Sequence, residues 1–377
     1  MSKPKSPWWE EALRGRKTGL LAASLRRAAE WGSLGYQAGL KGRAVAYKKG
    51  WLAVKKLPRP TICVGNITVG GTGKTPLVIR LVSDLMARGL RPAVLLRGYK
   101  RERPVRLPVI VRDAHTIFAG VRESGDEAME LAVRLPGACV GVGANRYAVG
   151  QVLLKQAPVD CFILDDGFQH VQLDRDMNIV AMDVTDPWGG GKLLPAGLLR
   201  ETPEALQRAD WVVLTRTGLI APDRLSVLRA EVAALMRPPA QILESEHQPR
   251  SVVAFTSHNE LPLTSLQGKK VIAVSGIGSP ESFEANLVRL GAEVVDRKHF
   301  PDHGGRLREV WAWVKAHRKP GQWVLMTEKD AMRWTARVIP PAMQEETYVL
   351  RMDLVVTSGE SLWKDLLEQV YRSVRHA

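Results

Sequence analysis

The stretch "ICVGNITVGGTGKTPLVI", residues 62–79, decides how the rest of the chain is read. A short apolar run, ICVGNI, leads into Gly70, Gly71 and Gly73, and then into Lys74, Thr75 and Pro76. An amphipathic stretch follows and runs to Gly89, so the layout is strand, glycine loop, helix. Glycines here let backbone N–H groups approach phosphate oxygens, and the helix N-terminus adds partial positive charge. Lys74 is placed to reach the β- and γ-phosphates, and the Thr75 hydroxyl to ligate Mg²⁺. The strict phosphate-loop spacing fails, because Thr68 stands where the first glycine belongs. The form x-G-G-x-G-K-[ST] fits Val69 to Thr75. Its first position is often a lysine; here it is Val69, so that role is absent or supplied elsewhere. The expected nucleotide loop is therefore Thr68, Val69, Gly70, Gly71, Thr72, Gly73, Lys74 and Thr75, and the expected cofactors are ATP and Mg²⁺. A chance glycine-rich turn is the alternative, and it leaves the flanking strand and helix unexplained.

Such a loop needs an acid on a neighbouring strand. "CFILDDGFQH", residues 161–170, supplies Asp165 and Asp166 at the C-terminal end of an apolar run, where the active sites of parallel sheets lie. Two adjacent carboxylates are costly there unless a cation is near. Thr75, Asp165 and Asp166 are thus the expected metal-binding set, with an acidic solvent turn as the alternative for the pair.

Outward from these two motifs, strands alternate with helices: "RPAVLLRGY", "GDEAMELAVRLPG", "ACVGVG", "MNIVAMDV" and "ADWVVLTR". This pattern predicts an α/β fold with a P-loop NTPase-type parallel sheet and helices on both faces, over residues 59–240. The proline-containing stretch 237–249 reads as a connection. Beyond it, "KKVIAVSGIGSPESFEANLVRLGAEVV", "LREVWAWVKAH" and "QWVLMTEKDAMRW" predict a second, smaller α/β domain over 241–377. The last amphipathic stretch, from Ser361, packs on either unit. Thr327 to Ala331 ("TEKDA") follows a strand, where it binds nucleotide or only makes a turn.

The 377 residues are 45% apolar and 25% charged, the composition of an ordinary globular protein. Cys63, Cys139 and Cys161 form neither a disulfide framework nor a zinc pattern. No run approaches the roughly 18 apolar residues of a membrane-spanning helix, and no secretory cleavage pattern opens the chain. The net charge is +15, and residues 1–59 hold fourteen Lys or Arg against three Glu, so +11 of it lies there. Trp8, Trp9, Leu13, Leu20, Leu21, Leu25, Ala28, Trp31, Leu34 and Trp51 interleave with these charges, and Leu21, Leu25 and Ala28 share a helical face. Residues 1–58 therefore read as a basic, Trp-rich segment lying in an anionic membrane interface. The alternative is an apolar face packed on the protein with solvated charges. Nothing further supports nucleic acid as a partner.

"VGNITVGGTGKTP", "RGY", "SGDEAM", "DDGFQH", "LPAGLLRE", "SGIGSPESF", "FPDH" and "MTEKDA" occur in this order. As a set they resemble the tetraacyldisaccharide 4′-kinases of lipid A synthesis, from about residue 60 to 335. The resemblance implies ATP- and Mg²⁺-dependent phosphorylation of the 4′-hydroxyl of a tetraacylated glucosamine disaccharide 1-phosphate. It implies a lipid-linked substrate and work at the cytoplasmic face of the inner membrane of Gram-negative bacteria. A charge-interrupted N-terminal segment fits peripheral or monotopic binding there rather than a span. The resemblance makes Asp126, in the Gly-Asp-Glu motif, the general base, with His303 of "FPDH" as the partner that tunes it and Lys74 as the third catalytic group. Residue by residue the alternatives are a helix-start role for Asp126 and a surface turn for His303. Arg97, Tyr99, Asn145 and Arg146 follow apparent strands and suit an anionic 1-phosphate and sugar hydroxyls, with surface ion pairing the alternative for the arginines. His170 follows the acid pair and is expected to support the site from behind, and Arg200 with Glu201 to complete the metal or nucleotide site. Two rival readings share the loop: a nucleotide-dependent switch or maturation ATPase, and a ligase of cofactor synthesis acting on a soluble acid.

Overall fold

The computed structural model describes residues 18–99, 101, 107–277, 280–300, 307–334 and 339–376. The chain divides into two compact units. One comprises Gln248–Asp353; the other comprises the described residues up to His247 together with those from Leu354 onward.

The larger unit carries the glycine loop. Its strands are β1 (Thr61–Gly65), β2 (Pro92–Leu96), β3 (Val109–Arg112), β4 (Cys139–Val142), β5 (Cys161–Asp165), β6 (Met177–Asp183), β7 (Trp211–Thr215) and the first part of β8 (Gln241–Ala254). They lie in the order β3-β4-β2-β5-β1-β6-β7-β8, parallel except for the edge strand β3. β1, β2, β5 and β7 are buried at every position, as expected of parallel strands covered on both faces. Alternation along β1 sends Ile62 and Val64 into one core and Cys63 into the other.

The first core is closed by helices α2 (Lys74–Ala87) and α4 (Asp126–Arg134), which follows the one-turn α3 (Val121–Ser124), and by the C-terminal helix α11 (Glu360–Arg375). Leu77, Val78, Leu81, Val82 and Leu85 recur at helical spacing on α2 and are wholly buried. Gly89, at φ 83°, ends that helix with its N–H donated to the Met86 carbonyl at 2.9 Å. Trp363, Leu366, Leu367 and Val370 of α11 are buried in the same core. Trp363 Nε1 donates to Asp84 on α2 at 2.7 Å. The chain's last helix therefore belongs to the larger unit.

The second core is covered by α5 (Arg146–Gln156), α6 (Pro222–Leu235) and part of the N-terminal helix α1 (Leu20–Lys48), through Tyr36 and Leu40. On α1, Ala22 and Ala29 are buried while Leu20, Leu21, Trp31 and Leu34 are exposed. Trp8, Trp9 and Leu13 lie outside the described residues. Among the described residues no helix is long and apolar enough to cross a membrane.

In the smaller unit β10 (Lys270–Ser275) lies between β11 (Glu293–His299) and β12 (Trp323–Thr327), and β12 pairs with β13 (Thr347–Ser358), all parallel. The short β9 (Glu260–Leu261) pairs antiparallel with β8. Helices α7 (Pro280–Arg289), α8 (Leu307–His317), α9 (Glu328–Arg333) and α10 (Pro341–Gln344) complete the unit. Thr327 caps α9 by accepting the Asp330 N–H, and Asp330 Oδ2 accepts from the Gly276 N–H at 3.0 Å and the Thr327 hydroxyl at 2.6 Å. These bonds tie the "TEKDA" residues to one another and to Gly276, just after β10.

One expectation is corrected. Residues 237–249 are not simply a connection, because Gln241–Ala254 is a strand. Its residues 241–245 pair with β7 and residues 252–253 with β9, so Pro249 falls outside both ladders. The chain leaves the larger unit within this strand, after His247, rather than at residue 240.

Candidate active site

The glycine loop joins the C-terminal end of β1 to α2. Gly73 caps the helix in the left-handed conformation, at φ 83°, and Gly70 is at φ 125°. A methyl group on Gly73 would lie 3.0 Å from the His247 ring and 3.2 Å from the Thr215 methyl. That position thus requires glycine twice over, for its backbone and for its neighbours. The Thr215 hydroxyl donates to the Thr72 carbonyl at 3.0 Å, and Asn66 Nδ2 donates to Thr72 Oγ1 at 3.0 Å. Arg216 Nη2 donates to the Gly71 carbonyl at 2.9 Å and pairs with Asp183. Thr68 is buried, whereas Val69 is open to solvent. Arg216 thus brings a cation to the loop from the end of β7, though not at Val69.

Asp165 and Asp166 stand at the end of β5, beside β1 in the sheet. Lys74 Nζ lies 3.5 Å from Asp166 Oδ1, and Arg200 Nη1 donates to both Asp166 oxygens at 2.9 and 2.8 Å. Burial alone would raise the Asp166 carboxyl, but Lys74 and Arg200 hold it below the usual range. No ion pair of Asp165 occurs among the described residues, and the Lys74 charge offsets its surroundings only in part. Burial first, then the charges of Glu127 and Asp166, push it up to about 7. Its Oδ1 is buried without a hydrogen-bond partner. Asp126 and Glu127 open helix α4 immediately after Gly125, so the proposed base shares a helix start with a group that acts on Asp165. The Tyr99 carbonyl lies 3.0 Å from where a methyl on Gly125 would stand, which brings Tyr99 to the same turn.

A family model described as tetraacyldisaccharide-1-P 4'-kinase matches residues 31–371. The chain belongs to the tetraacyldisaccharide 4'-kinase family. Curated members include the tetraacyldisaccharide 4'-kinase of Geobacter metallireducens, 40% identical over 304 residues that cover 80% of this chain and 86% of that one. The enzyme of that name from Anaeromyxobacter sp. strain Fw109-5 is 38% identical over 363 residues, covering 96% and 94%. Among solved structures, LpxK from Aquifex aeolicus in complex with ATP aligns with a TM-score of 0.75 at 30% identity, over 93% of this chain and 99% of that one. The fold is accordingly that of a P-loop kinase.

In this kinase the residues fit ATP and Mg²⁺. The loop leaves the space above Gly70 and Gly71 free of other atoms, as close backbone approach by phosphate requires. Asp165, raised by burial and with its Oδ1 buried without a hydrogen-bond partner, stands beside Asp166 where a cation would satisfy it. Thr75 at the helix start, Asp165 and Asp166 would hold Mg²⁺. No group of three His, Cys, Asp or Glu that could hold a metal occurs among the described residues.

The other predicted residues are distributed unevenly. Asn145 caps α5, its side-chain oxygen accepting the Ala148 N–H at 3.1 Å. Arg146 follows it and is buried; burial first and then Arg97 push its guanidinium down to about 10. Its Nε is buried without a partner. Asp165 and Asp166 also act on it, so Arg97, Arg146 and the acids share one neighbourhood. Burial and the arginines 146, 175, 43 and 97 push the His170 imidazole down to about 3, leaving it neutral. Glu201 accepts from Gln169 at 3.0 Å and Arg208 at 2.6 Å, and Gln169 donates to the Asn66 carbonyl at 2.9 Å. Glu201 thereby braces the strand end that leads into the loop. His303 lies outside the described residues. Sequence reasoning missed Asn66, Thr215, Arg216 and His247. Asn66 sits in the quoted glycine-loop stretch but carries no phosphate-loop signal of its own; the other three sit in no motif, although "TR" directly after the apolar run WVVL marks the end of a parallel strand, as Asp165 does.

Proposed function

We propose that this chain transfers the γ-phosphoryl group of ATP to the 4′-hydroxyl of a tetraacylated glucosamine disaccharide 1-phosphate. The observation that carries the reading is the joint placement of Lys74, Asp166 and Arg200 at the glycine loop, with the buried Asp165, whose Oδ1 lacks a hydrogen-bond partner, beside them and Glu127, next to Asp126 at the start of α4, acting on it. The Asp126 carboxylate takes the proton of the sugar hydroxyl. The freed oxygen forms its bond to the γ-phosphorus as the bond to the bridging oxygen breaks, and ADP leaves with that electron pair. Lys74 and the loop N–H groups hold the phosphate oxygens in line, and Mg²⁺ when bound neutralises charge on them. Arg97 and Arg146 face the substrate's anionic group, with Tyr99 beside its sugar. His303 tunes the base in this scheme.

The substrate stays in a bilayer through its acyl chains, so the chain works at a membrane surface. Exposed Trp31 and Leu34 on α1, among basic residues, support peripheral docking at an anionic inner leaflet on the cytoplasmic side. ATP consumption with and without the lipid disaccharide in detergent tests the reading. Lipid-dependent turnover that Lys74→Ala abolishes is expected. Equal turnover without lipid would replace the reading with a nucleotide-dependent switch.

A further inference from the structure

Helix α1 touches the protein at one segment above all, residues 193–200, and that segment also reaches the glycine loop. Ser33 Oγ lies 2.8 Å from the Leu193 carbonyl and accepts the Ala196 N–H at 3.1 Å. A methyl on Gly32 would lie 3.1 Å from Pro195, so helix backbone and segment pack at close range. One turn on, the Tyr36 hydroxyl donates to the Arg200 carbonyl at 2.9 Å. Further along, Arg43 donates to the Gln169 carbonyl at 3.1 Å.

The opposite side of the segment is bonded to the site. The Val69 N–H donates to the Leu198 carbonyl at 2.7 Å, and the Arg200 N–H donates to the Ile67 carbonyl at 2.7 Å. Thr68 and Leu199 form a bridge. Arg200 thus has its carbonyl held by α1, its N–H held by Ile67 between β1 and the glycines, and its guanidinium on Asp166. No other element is needed to connect α1 with the acid pair.

We infer that α1 is a positioning element of the phosphotransfer site: through Ser33 and Tyr36 it seats residues 193–200, and so sets where Arg200 holds Asp166 and where Val69 starts the loop. The inference rests on the kinase reading for its consequence in turnover, but not for the seating itself. A hydrogen bond to a backbone carbonyl two atoms from the Arg200 Cα confines the side chain that depends on it. Losing that bond should slow turnover by up to about tenfold, equivalent to about 1.4 kcal/mol on the barrier.

The test uses the full chain carrying Tyr36→Phe, Ser33→Ala and the conservative Ser33→Thr. Hydrogen exchange should quicken in peptides covering residues 67–71 and 193–200 in the first two variants, with β10 and β12 unchanged, and Ser33→Thr should restore much of the protection. In turnover, Tyr36→Phe should lower kcat by up to about tenfold with ATP KM near wild type. Combined with Arg200→Lys its loss should be less than multiplicative, because both act through one contact. Unchanged exchange in residues 193–200 would overturn the inference whatever the activity. So would a multiplicative double variant, or a kcat loss matched by a lowered unfolding midpoint. A wild-type enzyme without lipid-dependent phosphorylation would overturn the kinase reading instead, leaving the exchange result to decide the seating.

Discussion

Asp126 occupies the first position of α4, one residue after a glycine at φ 88° and one residue before the carboxylate that acts on Asp165. A helix start suits a carboxylate by its dipole, so position alone does not make Asp126 a base. Chemistry separates the two roles. Asp126→Asn keeps the shape and loses the proton acceptor, so kcat should fall by about 10²–10⁴-fold with ATP affinity little changed. Steady-state kinetics with calorimetric ATP titration checks this, and a wild-type rate would remove Asp126 from the chemistry. At the same scale His247 makes a pH prediction. Burial first, then Arg216, bring its pKa from 6.5 to about 4. The unfolded chain therefore binds the proton that the folded chain refuses. The stability from neutral His247 is complete above pH 6.5 and is lost as pH falls from there toward about 4. The loss is at most about 1.4 kcal/mol per pH unit. Denaturant unfolding of wild type and His247→Gln across that window should show the shallower slope in the variant; parallel slopes would reject the assignment. The Gly-Lys-Thr and Asp-Asp signals were legible because phosphate and cation binding demand particular residue types at short spacing. His247 was not, because its role comes from lying against Gly73, far away in the chain.

At the scale of elements, α2 was readable from its period and its glycine boundaries, while its partner was not. Amphipathicity states that a helix has a face to bury and is silent on where. The C-terminal helix shows this: its apolar face was evident, and its place against α2 is decided by Trp363, buried and bonded to Asp84. Arg80 also pairs with Asp84 and lies over the Trp363 ring at 5.7 Å. Trp363→Ala should destabilise the protein by about 3–5 kcal/mol, by analogy with other buried Trp truncations. Chemical denaturation of the larger unit's transition measures it, and a loss under about 1 kcal/mol would mean that α11 is not docked there in solution. Strand β8 failed the sequence reading for the opposite reason. Proline lowers strand expectation, yet Pro249 lies outside the ladders to β7 and β9.

At the scale of the whole molecule, charge and exposed apolar side chains concentrate in the N-terminal part. Residues 1–59 hold most of the net charge of +15, and Trp31 and Leu34 stand 74% and 58% exposed on α1. Binding to anionic vesicles should exceed binding to neutral ones and weaken with salt, since each basic residue near the surface contributes about 1 kcal/mol that ions screen. Trp31→Ser with Leu34→Ser should lower what remains at high salt. Co-sedimentation measures both, and equal binding to neutral and anionic vesicles would sink the electrostatic part.

The sequence by itself determined the chemistry class. A glycine loop ending in Lys-Thr, and an acid pair closing an apolar strand, are local patterns whose physics works within a few residues of chain. It determined the parallel α/β class too, because strands covered on both faces must be apolar throughout. Only the tertiary structure decided which acid is ion-paired with Lys74 and Arg200 and which is raised by burial, since Asp165 and Asp166 are neighbours in sequence whose carboxyls shift in opposite directions. It also decided that Arg200, Tyr36 and the loop meet. Tyr36 and the residues leading into the loop each lie more than a hundred positions from Arg200, and nothing local in the chain encodes those contacts.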